Sequence, residues 1–421
     1  MNIEIINTGS ELMLGFVLNT HQQWLCRQLG NLGYTVSRQV AVPDEGPAIQ
    51  AAVKEALTRA ELVITTGGLG PTSDDITRDL IAQLLGKKLI ADAGTLAKIE
   101  GFFAERKRPM PLSTKVQALV PEGALVLPNH HGTAPGLAIE LKPNSYRPDG
   151  SPGLLIMLPG PPRELRPMFT DQVVAQLRKH FPHEAVFVCR TLKSTGLGES
   201  VVQETIAGPL KTLTDAGLVI GYCARIGEVD VRLVASGQRA EQTVNEAERM
   251  VRGLIGERIF GVDDDELEQV IIRRLTERRA TLALAESCTG GHLANRLTDV
   301  PGASEVFVAG LVTYSNEAKI RLLGVRPETL AQHGAVSEAT AREMAAGARQ
   351  KNQTDYAIAV TGIAGPGGGT DTKPVGTVFI ALATAQATTV AQLVNRFDRA
   401  TFKQVTSQQA LELLRRELLT G

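Results

Sequence analysis

Apolar strands alternating with amphipathic helices predict an α/β protein of several domains, with parallel sheets covered by helices on both faces. Two further observations refine this. Between about Phe187 and Phe260 the texture changes to short strands and longer helices, a small α+β module, and the glycine-rich motifs fall just after predicted strands. A chain of 421 residues also exceeds one ordinary domain of ~100–200 residues, so about two to four domains are expected.

The first segment predicts strands at Ile3–Ile6, Val36–Val42 and Leu62–Thr65, with helices from about Thr20 to Leu32 and over Ala48–Arg59. Ligands in such sheets bind beyond the carboxyl ends of the strands. TTGGLGPTSDDIT (Thr65–Thr77) and LPGPPREL (Leu158–Leu165) fall there. The middle module predicts strands Val186–Leu192, Leu218–Cys223 and Val229–Ala235, and helices from Ser200 and Ala240. Its STGLGES run (Ser194–Ser200) reads as a helix-entry turn or a phosphate loop. A linker, Gly261-Val262-Asp263-Asp264-Asp265, precedes a helix from Glu266 to Arg279 whose positive end suits the acidic residues. The third domain carries ESCTGG after the apolar run Leu282–Ala285, a strand Phe307–Thr313, and a closing helix to Leu419.

Composition narrows the function classes. Lys+Arg number 44 and Asp+Glu 45, so there is no global basic field, and a small-molecule partner is expected rather than nucleic acid. Apolar runs fall short of the ~20 residues that span a bilayer, and the start MNIEIINTG shows no signal peptide, so no membrane partner and a cytoplasmic location are expected. Cys26, Cys189, Cys223 and Cys288 form no C-x-x-C pair; the first three are expected as core thiols.

Ser287, on a predicted strand-to-helix turn, reads as a helix cap or as a nucleophile. A nucleophile needs a base. None of His21, His130, His131, His180, His183, His292 and His333 stands in a base motif, and His292 is expected on the first helical turn facing solvent. A lysine with a depressed pKa serves instead, and Lys319 in Tyr314-Ser315-Asn316-Glu317-Ala318-Lys319 belongs to the same strand-to-helix edge. Cys288 is the rival nucleophile, or a small buried filler. Gly362-Ile363-Ala364-Gly365-Pro366-Gly367-Gly368-Gly369 offers backbone N–H groups for a single phosphate, or is a structural turn.

In the first domain Gly67, Gly68 and Gly70 form a second backbone-exposing loop. Asp74 and Asp75 beside it read either as ligands for a hard divalent cation or as caps of a helix over Ile76–Leu84. His130-His131 read as loop, and Lys142–Gly153 as a surface hairpin.

AESCTGG, TYSNEAKIRLLGV, GAVSEATAREMA and AVTGIAGPGGG together resemble the C-terminal domain of the CinA family, of the nicotinamide mononucleotide (NMN) deamidase type called PncC, over residues 266–421. NTGSELMLG, NHHGTAPG and LPGPPREL resemble the CinA N-terminal domain, of the MoaB/MogA molybdopterin-binding type, and the middle resembles the CinA KH-like insert. The division implied is 1–170, 171–260 and 261–421.

The resemblance implies two activities. NMN would be hydrolysed to nicotinic acid mononucleotide and ammonia without a cofactor, by Ser287 as nucleophile, Lys319 as base and Tyr314 as assisting hydroxyl. Backbone N–H groups around Thr289 and Gly290 would hold the oxyanion, and Thr361, Gly362, Gly365 and Arg399 the phosphate. Phe397 and Lys403 depart from the family pattern in that last region. ADP-ribose would be cleaved with Mg²⁺, Mn²⁺ or Co²⁺ on Asp74 and Asp75, with Glu11, Asn129, Thr133, Gly160, Arg163 and Glu164 as further contacts. A homodimer is implied too. The alternative is a nucleotide- or pterin-binding regulator of competence or DNA damage, without turnover.

Overall fold

A computed structural model of the chain describes residues 1–182 and 185–420, so His183 lies outside the described residues. Two compact units are present, Met1–Phe187 and the remainder from Val188.

The first unit is laid down by β1 (Ile3–Thr8), α1 (Thr20–Asn31), β2 (Val36–Val42), α2 (Gly46–Leu57), β3 (Leu62–Thr66), α3 (Thr77–Leu84), β4 (Leu125–Leu127), β5 (Gly136–Leu141), β6 (Gly153–Leu158) and α4 (Pro162–Met168). The sheet order is β2-β1-β3-β6-β5-β4. β2, β1, β3 and β6 are parallel, and β5 pairs antiparallel with both β6 and β4. β1, β3 and β6 are buried at every position, as strands covered on both faces must be. Leu25 and Leu29 of α1 pack with Ile3, Ile5 and Ile64 on one face, and Ile49 and Val53 of α2 with Ile6, Val63 and Leu155 on the other.

The Lys142–Gly153 segment does join two antiparallel strands, but it is more than a surface hairpin. Asn144 is buried with its Nδ2 donating to the Leu57 carbonyl at 2.9 Å, and the Tyr146 hydroxyl donates to the Leu84 carbonyl at 2.5 Å. Backbone carbonyls at two helix ends recruited it inward.

In the second unit β7 (Phe187–Thr195), α5 (Glu199–Ala207), β8 (Val219–Arg225), β9 (Glu228–Ser236), α6 (Ala240–Ile255) and β10 (Ile259–Val262) form a four-stranded sheet in the order β8-β9-β7-β10. Gly261 and Val262 therefore belong to an edge strand rather than to a linker, because β10 pairs antiparallel with β7. The STGLGES run is a helix entry, with Gly198 at the N-cap of α5.

The chain continues as α7 (Leu267–Arg278), β11 (Leu282–Glu286), α8 (His292–Thr298), β12 (Phe307–Val312), α9 (Glu338–Asn352), β13 (Tyr356–Gly362), β14 (Thr377–Ala383), β15 (Thr388–Val394) and α10 (Arg399–Thr420). Sheet order is β12-β11-β13-β14-β15, with β12, β11 and β13 parallel. α7, α8 and α10 cover one face and α9 the other. The carboxyl ends of the three parallel strands thus share one edge, which carries Ser287, Thr313 and Gly362.

The hairpin between β8 and β9 rests on α10: the Gln408 Nε2 donates to Glu228 at 2.7 Å, and the Gln408 Oε1 accepts from Arg296 of α8 at 2.8 Å. Among the described residues no helix is long and apolar enough to cross a membrane.

A close approach on the α9 face fixes the segment that carries Lys319. Residues Lys319–Leu323 form a wide π-type turn, and a Cβ built on Gly347 of α9 would lie 1.8 Å from the Leu323 carbonyl oxygen. Only glycine fits there, since backbone cannot rotate away as a side chain can. Gly347→Ala is expected to cost about 1–3 kcal/mol through overpacking, read as a lowered midpoint in chemical denaturation.

Candidate functional site

Ser287 follows β11 directly, its N–H donating to the Val360 carbonyl at 2.9 Å, which pins the turn to β13. Its hydroxyl lies 3.2 Å from the Lys319 Nζ. Lys319 is 1% exposed, and its Nζ also donates to the carbonyls of Thr313 at 2.9 Å and Tyr314 at 3.4 Å. No carboxylate pairs with it among the described residues. Burial therefore pushes the Lys319 ammonium below the ordinary lysine value, because the charged form loses its water. The serine and lysine expected from sequence are brought together.

The hydrogen-bond count around Nζ is informative. As an ammonium it donates three bonds, to two carbonyls and to Ser287. As a neutral amine it keeps two N–H groups on the carbonyls and turns its lone pair to the serine hydroxyl. Both protonation states are satisfied without a change of position.

Other expectations need correcting. The Tyr314 hydroxyl makes no hydrogen bond to Ser287 among the described residues: the side chain is 62% exposed, and its oxygen accepts from the Arg399 Nη2 at 2.9 Å. What Tyr314 gives the site is its backbone carbonyl. The Thr361 hydroxyl is spent on the Ala335 carbonyl at 2.8 Å, so it is no phosphate donor. The Gly290 N–H donates to the Ser287 carbonyl at 3.1 Å and cannot hold an oxyanion. His292 is half-buried rather than solvent-facing, its Nδ1 3.1 Å from the Ser407 hydroxyl. The three cysteines expected in the core are not fully buried: Cys26, packed against the core, and Cys189 are half-buried, and Cys223 is exposed.

Glu286 was missed. Its carboxylate is 1% exposed and accepts from the N–H groups of Gly291 at 3.0 Å, Leu293 at 3.1 Å and Ala294 at 2.8 Å. A charged residue ending the otherwise apolar LALAE run was the signal.

Across the same edge, Arg399 donates from its Nη1 to the Gly365 carbonyl at 2.9 Å, joining the glycine loop to Tyr314. Gly362 sits in the β13–β14 ladder opposite Val378. The N–H groups of Gly367, Gly368 and Gly369 have no partner among the described residues. His292, Arg399, Thr401 and Lys403 line an open cleft of about 530 Å³ beside this loop. Lys403 stands by the turn after Ser287, its Nζ 3.8 Å from where a Cβ on Gly290 would lie, and Phe397 is exposed.

The first unit holds a separate cleft of about 370 Å³ at the carboxyl ends of β1, β3 and β6. Glu11, Gly67, Gly68, Gly70, Asp74, Asp75, Thr133, Gly160 and Glu164 line it, as expected, together with Asp44 and Gln117, which sequence reasoning missed. Arg163 does not: it is 79% exposed. Asn129 acts at one remove, its Nδ2 donating to Glu164 at 2.8 Å. Burial pushes the Glu164 carboxyl up. Neither aspartate caps α3, whose first residue receives no side-chain bond; Asp75 instead accepts from the Thr72 N–H at 3.0 Å and from its hydroxyl. His130 and His131 are exposed in a loop.

Five carboxylates and no Lys, Arg or His line this cleft. Among the described residues no group of three or more ligating side chains forms a closed metal cage. Such a donor set fits a hard cation held by one or two carboxylates and completed by water and phosphate.

A relative from Caldicellulosiruptor bescii with a competence-damage inducible name is 44% identical over 422 residues, spanning 100% of both chains. The chain belongs to the CinA family. Residues 264–418 match the CinA C-terminal domain, 189–261 the damage-inducible protein CinA KH domain, and 4–179 a family described as a probable molybdopterin binding domain. A CinA-like protein of Kosmotoga olearia is 42% identical, covering 100% of this chain and 99% of its own. Among solved structures, a competence/damage inducible protein from Agrobacterium tumefaciens is 42% identical, covers 37% of this chain and 94% of its own, and has a TM-score of 0.36. This CinA chain therefore combines a molybdopterin-binding-like α/β domain, a KH-like module and the CinA C-terminal domain.

One chemical consequence concerns Cys288, adjacent to Ser287. Burial pushes its thiol up to about 12, leaving almost no thiolate near neutrality. Iodoacetamide at pH 8 is expected to modify exposed Cys223 and to leave Cys288 unmodified until the protein is denatured, as read by peptide mass spectrometry.

Proposed function

We propose that the C-terminal domain is an amidase acting on nicotinamide mononucleotide, with Ser287 as nucleophile and Lys319 as general base. The observation that carries this reading is the 3.2 Å contact between Ser287 Oγ and a buried, carboxylate-free Lys319 Nζ. The neutral amine takes the serine proton as Oγ attacks the carboxamide carbon. The resulting oxyanion is held by the Cys288 and Thr289 N–H groups. Lys319 then passes its proton to the departing nitrogen, which leaves as ammonia. Water, deprotonated by Lys319, releases nicotinic acid mononucleotide and restores Ser287. Arg399, Lys403 and the Gly367–Gly369 N–H groups receive the 5′-phosphate, and no metal is required.

For the N-terminal cleft we infer hydrolysis of ADP-ribose to AMP and ribose 5-phosphate. An anionic pyrophosphate cannot enter a cleft lined by five carboxylates unless cations accompany it. Asp74 and Asp75 would hold a divalent ion, which supplies charge neutralisation of the phosphates. Gly67, Gly68 and Gly70 let the loop lie against Thr8, Thr77 and Asp75, where a Cβ would come within 2.6, 2.0 and 2.2 Å, and Glu164, fixed by Asn129, is available to hold or accept a proton. A homodimer working in the cytoplasm completes the proposal.

Ser287→Ala and Lys319→Met should each reduce ammonia release from NMN by at least about 10³-fold while leaving ADP-ribose cleavage unchanged; retention of amidase activity in Ser287→Ala would reject the mechanism. Because only neutral Lys319 is the base, kcat/KM for NMN should rise with pH, about tenfold per unit, up to the depressed lysine pKa and then level off. EDTA should abolish ADP-ribose cleavage and spare ammonia release, and Asp75→Asn should weaken Mn²⁺ binding measured calorimetrically.

A further inference from the structure

We propose that Glu286 is the positioning residue of the Ser287–Lys319 pair; this rests on the amidase reading and adds a role to it. Its side chain and its main chain act on opposite halves of the site. The carboxylate takes the N–H groups of Gly291, Leu293 and Ala294, and so fixes the turn that begins with Ser287. The Glu286 carbonyl accepts the Thr313 N–H at 2.8 Å, and the Thr313 carbonyl in turn holds the Lys319 Nζ at 2.9 Å.

The physical need for such a residue is plain in the helix that follows. α8 has glycine at its N-cap and no side-chain cap of its own, so its leading N–H groups would otherwise be unsatisfied. The strand before it supplies the missing acceptor. A buried carboxylate is costly unless hydrogen-bonded, and among the described residues no cation pairs with Glu286; three charge-assisted bonds hold it instead.

The arrangement also decides which N–H groups remain for chemistry. The Gly290 N–H is spent on the Ser287 carbonyl and the His292 N–H on the Thr289 carbonyl, while Glu286 takes the next available ones. Within the turn this leaves the Cys288 and Thr289 N–H groups with only the Cys288 sulfur as neighbour acceptor, and these are the donors assigned to the developing oxyanion. Glu286 touches no reacting atom, but it sets where both donors and the serine oxygen lie.

The test is Glu286→Gln in the full chain, which keeps the shape and places an N–H₂ group against N–H donors. The kcat for ammonia release from NMN should fall about 10- to 100-fold with KM within about twofold, since misplacement of reacting groups costs rate rather than binding. Labelling of Ser287 by a fluorophosphonate probe should slow by a similar factor, at an unchanged thermal midpoint. Unchanged kcat and labelling would overturn the proposal, as would a loss matched by unfolding or by an equal rise in KM. If Glu286→Gln does not fold, Glu286→Asp, charged but shorter, should label at an intermediate rate; wild-type labelling there would equally overturn it. Wild-type protein that is labelled at Ser287 yet releases no ammonia would reject NMN as substrate and leave the labelling comparison to judge Glu286.

Discussion

A lysine held in the interior without a carboxylate partner is the constraint around which the C-terminal domain is arranged. Lys319 gives up hydration worth several kcal/mol in its charged form, and two backbone carbonyls replace only part of it. The surroundings that accept this cost are specific. β12 ends at Thr313 so that its carbonyl faces inward, the chain makes a wide turn over Lys319–Leu323, and α9 presents a glycine so that this turn can lie against it. A carboxylate within reach of Nζ would stabilise the ammonium, raise its pKa and so leave too little neutral amine to accept a proton near neutrality.

The two clefts solve opposite electrostatic problems. In the C-terminal domain the Glu286 carboxylate is consumed internally by backbone N–H groups, and the neighbouring cleft is lined by Arg399, Lys403 and His292. The N-terminal cleft has the reverse character, with carboxylates on its walls and no cationic side chain. One cleft carries its own positive side chains, whereas the other carries none. Both stand at the carboxyl ends of parallel strands, where helices and loops diverge and leave room.

Much of this was legible in the residue pattern. β2 was expected at Val36–Val42 and is found there, and most other elements begin or end within about two residues of expectation, because apolar periodicity records burial directly. Ser287 and Lys319 were legible because each stands in a motif that ends a strand. What escaped were contacts between distant segments. The Tyr314 hydroxyl is claimed by Arg399, eighty-five positions away, and the Thr361 hydroxyl by Ala335. Neither partner is visible in a local window. Glu286 escaped for another reason: in sequence it reads as the opening residue of the ESCTGG turn, whereas it closes β11, and a carboxylate closing an apolar run has to find donors somewhere. Asp44 and Gln117 likewise enter the N-terminal cleft from segments that carry no motif of their own.

Cys288, sealed beside the nucleophile, bears on how such an enzyme would live in a cell. A thiolate at the reacting position would be open to peroxide and to glutathione, and turnover would then follow the redox state of its surroundings. With the thiol protonated and buried, and a hydroxyl as the attacking group, oxidants find nothing to convert at this edge. The amidase proposed for this domain would thus turn over independently of the redox state around it.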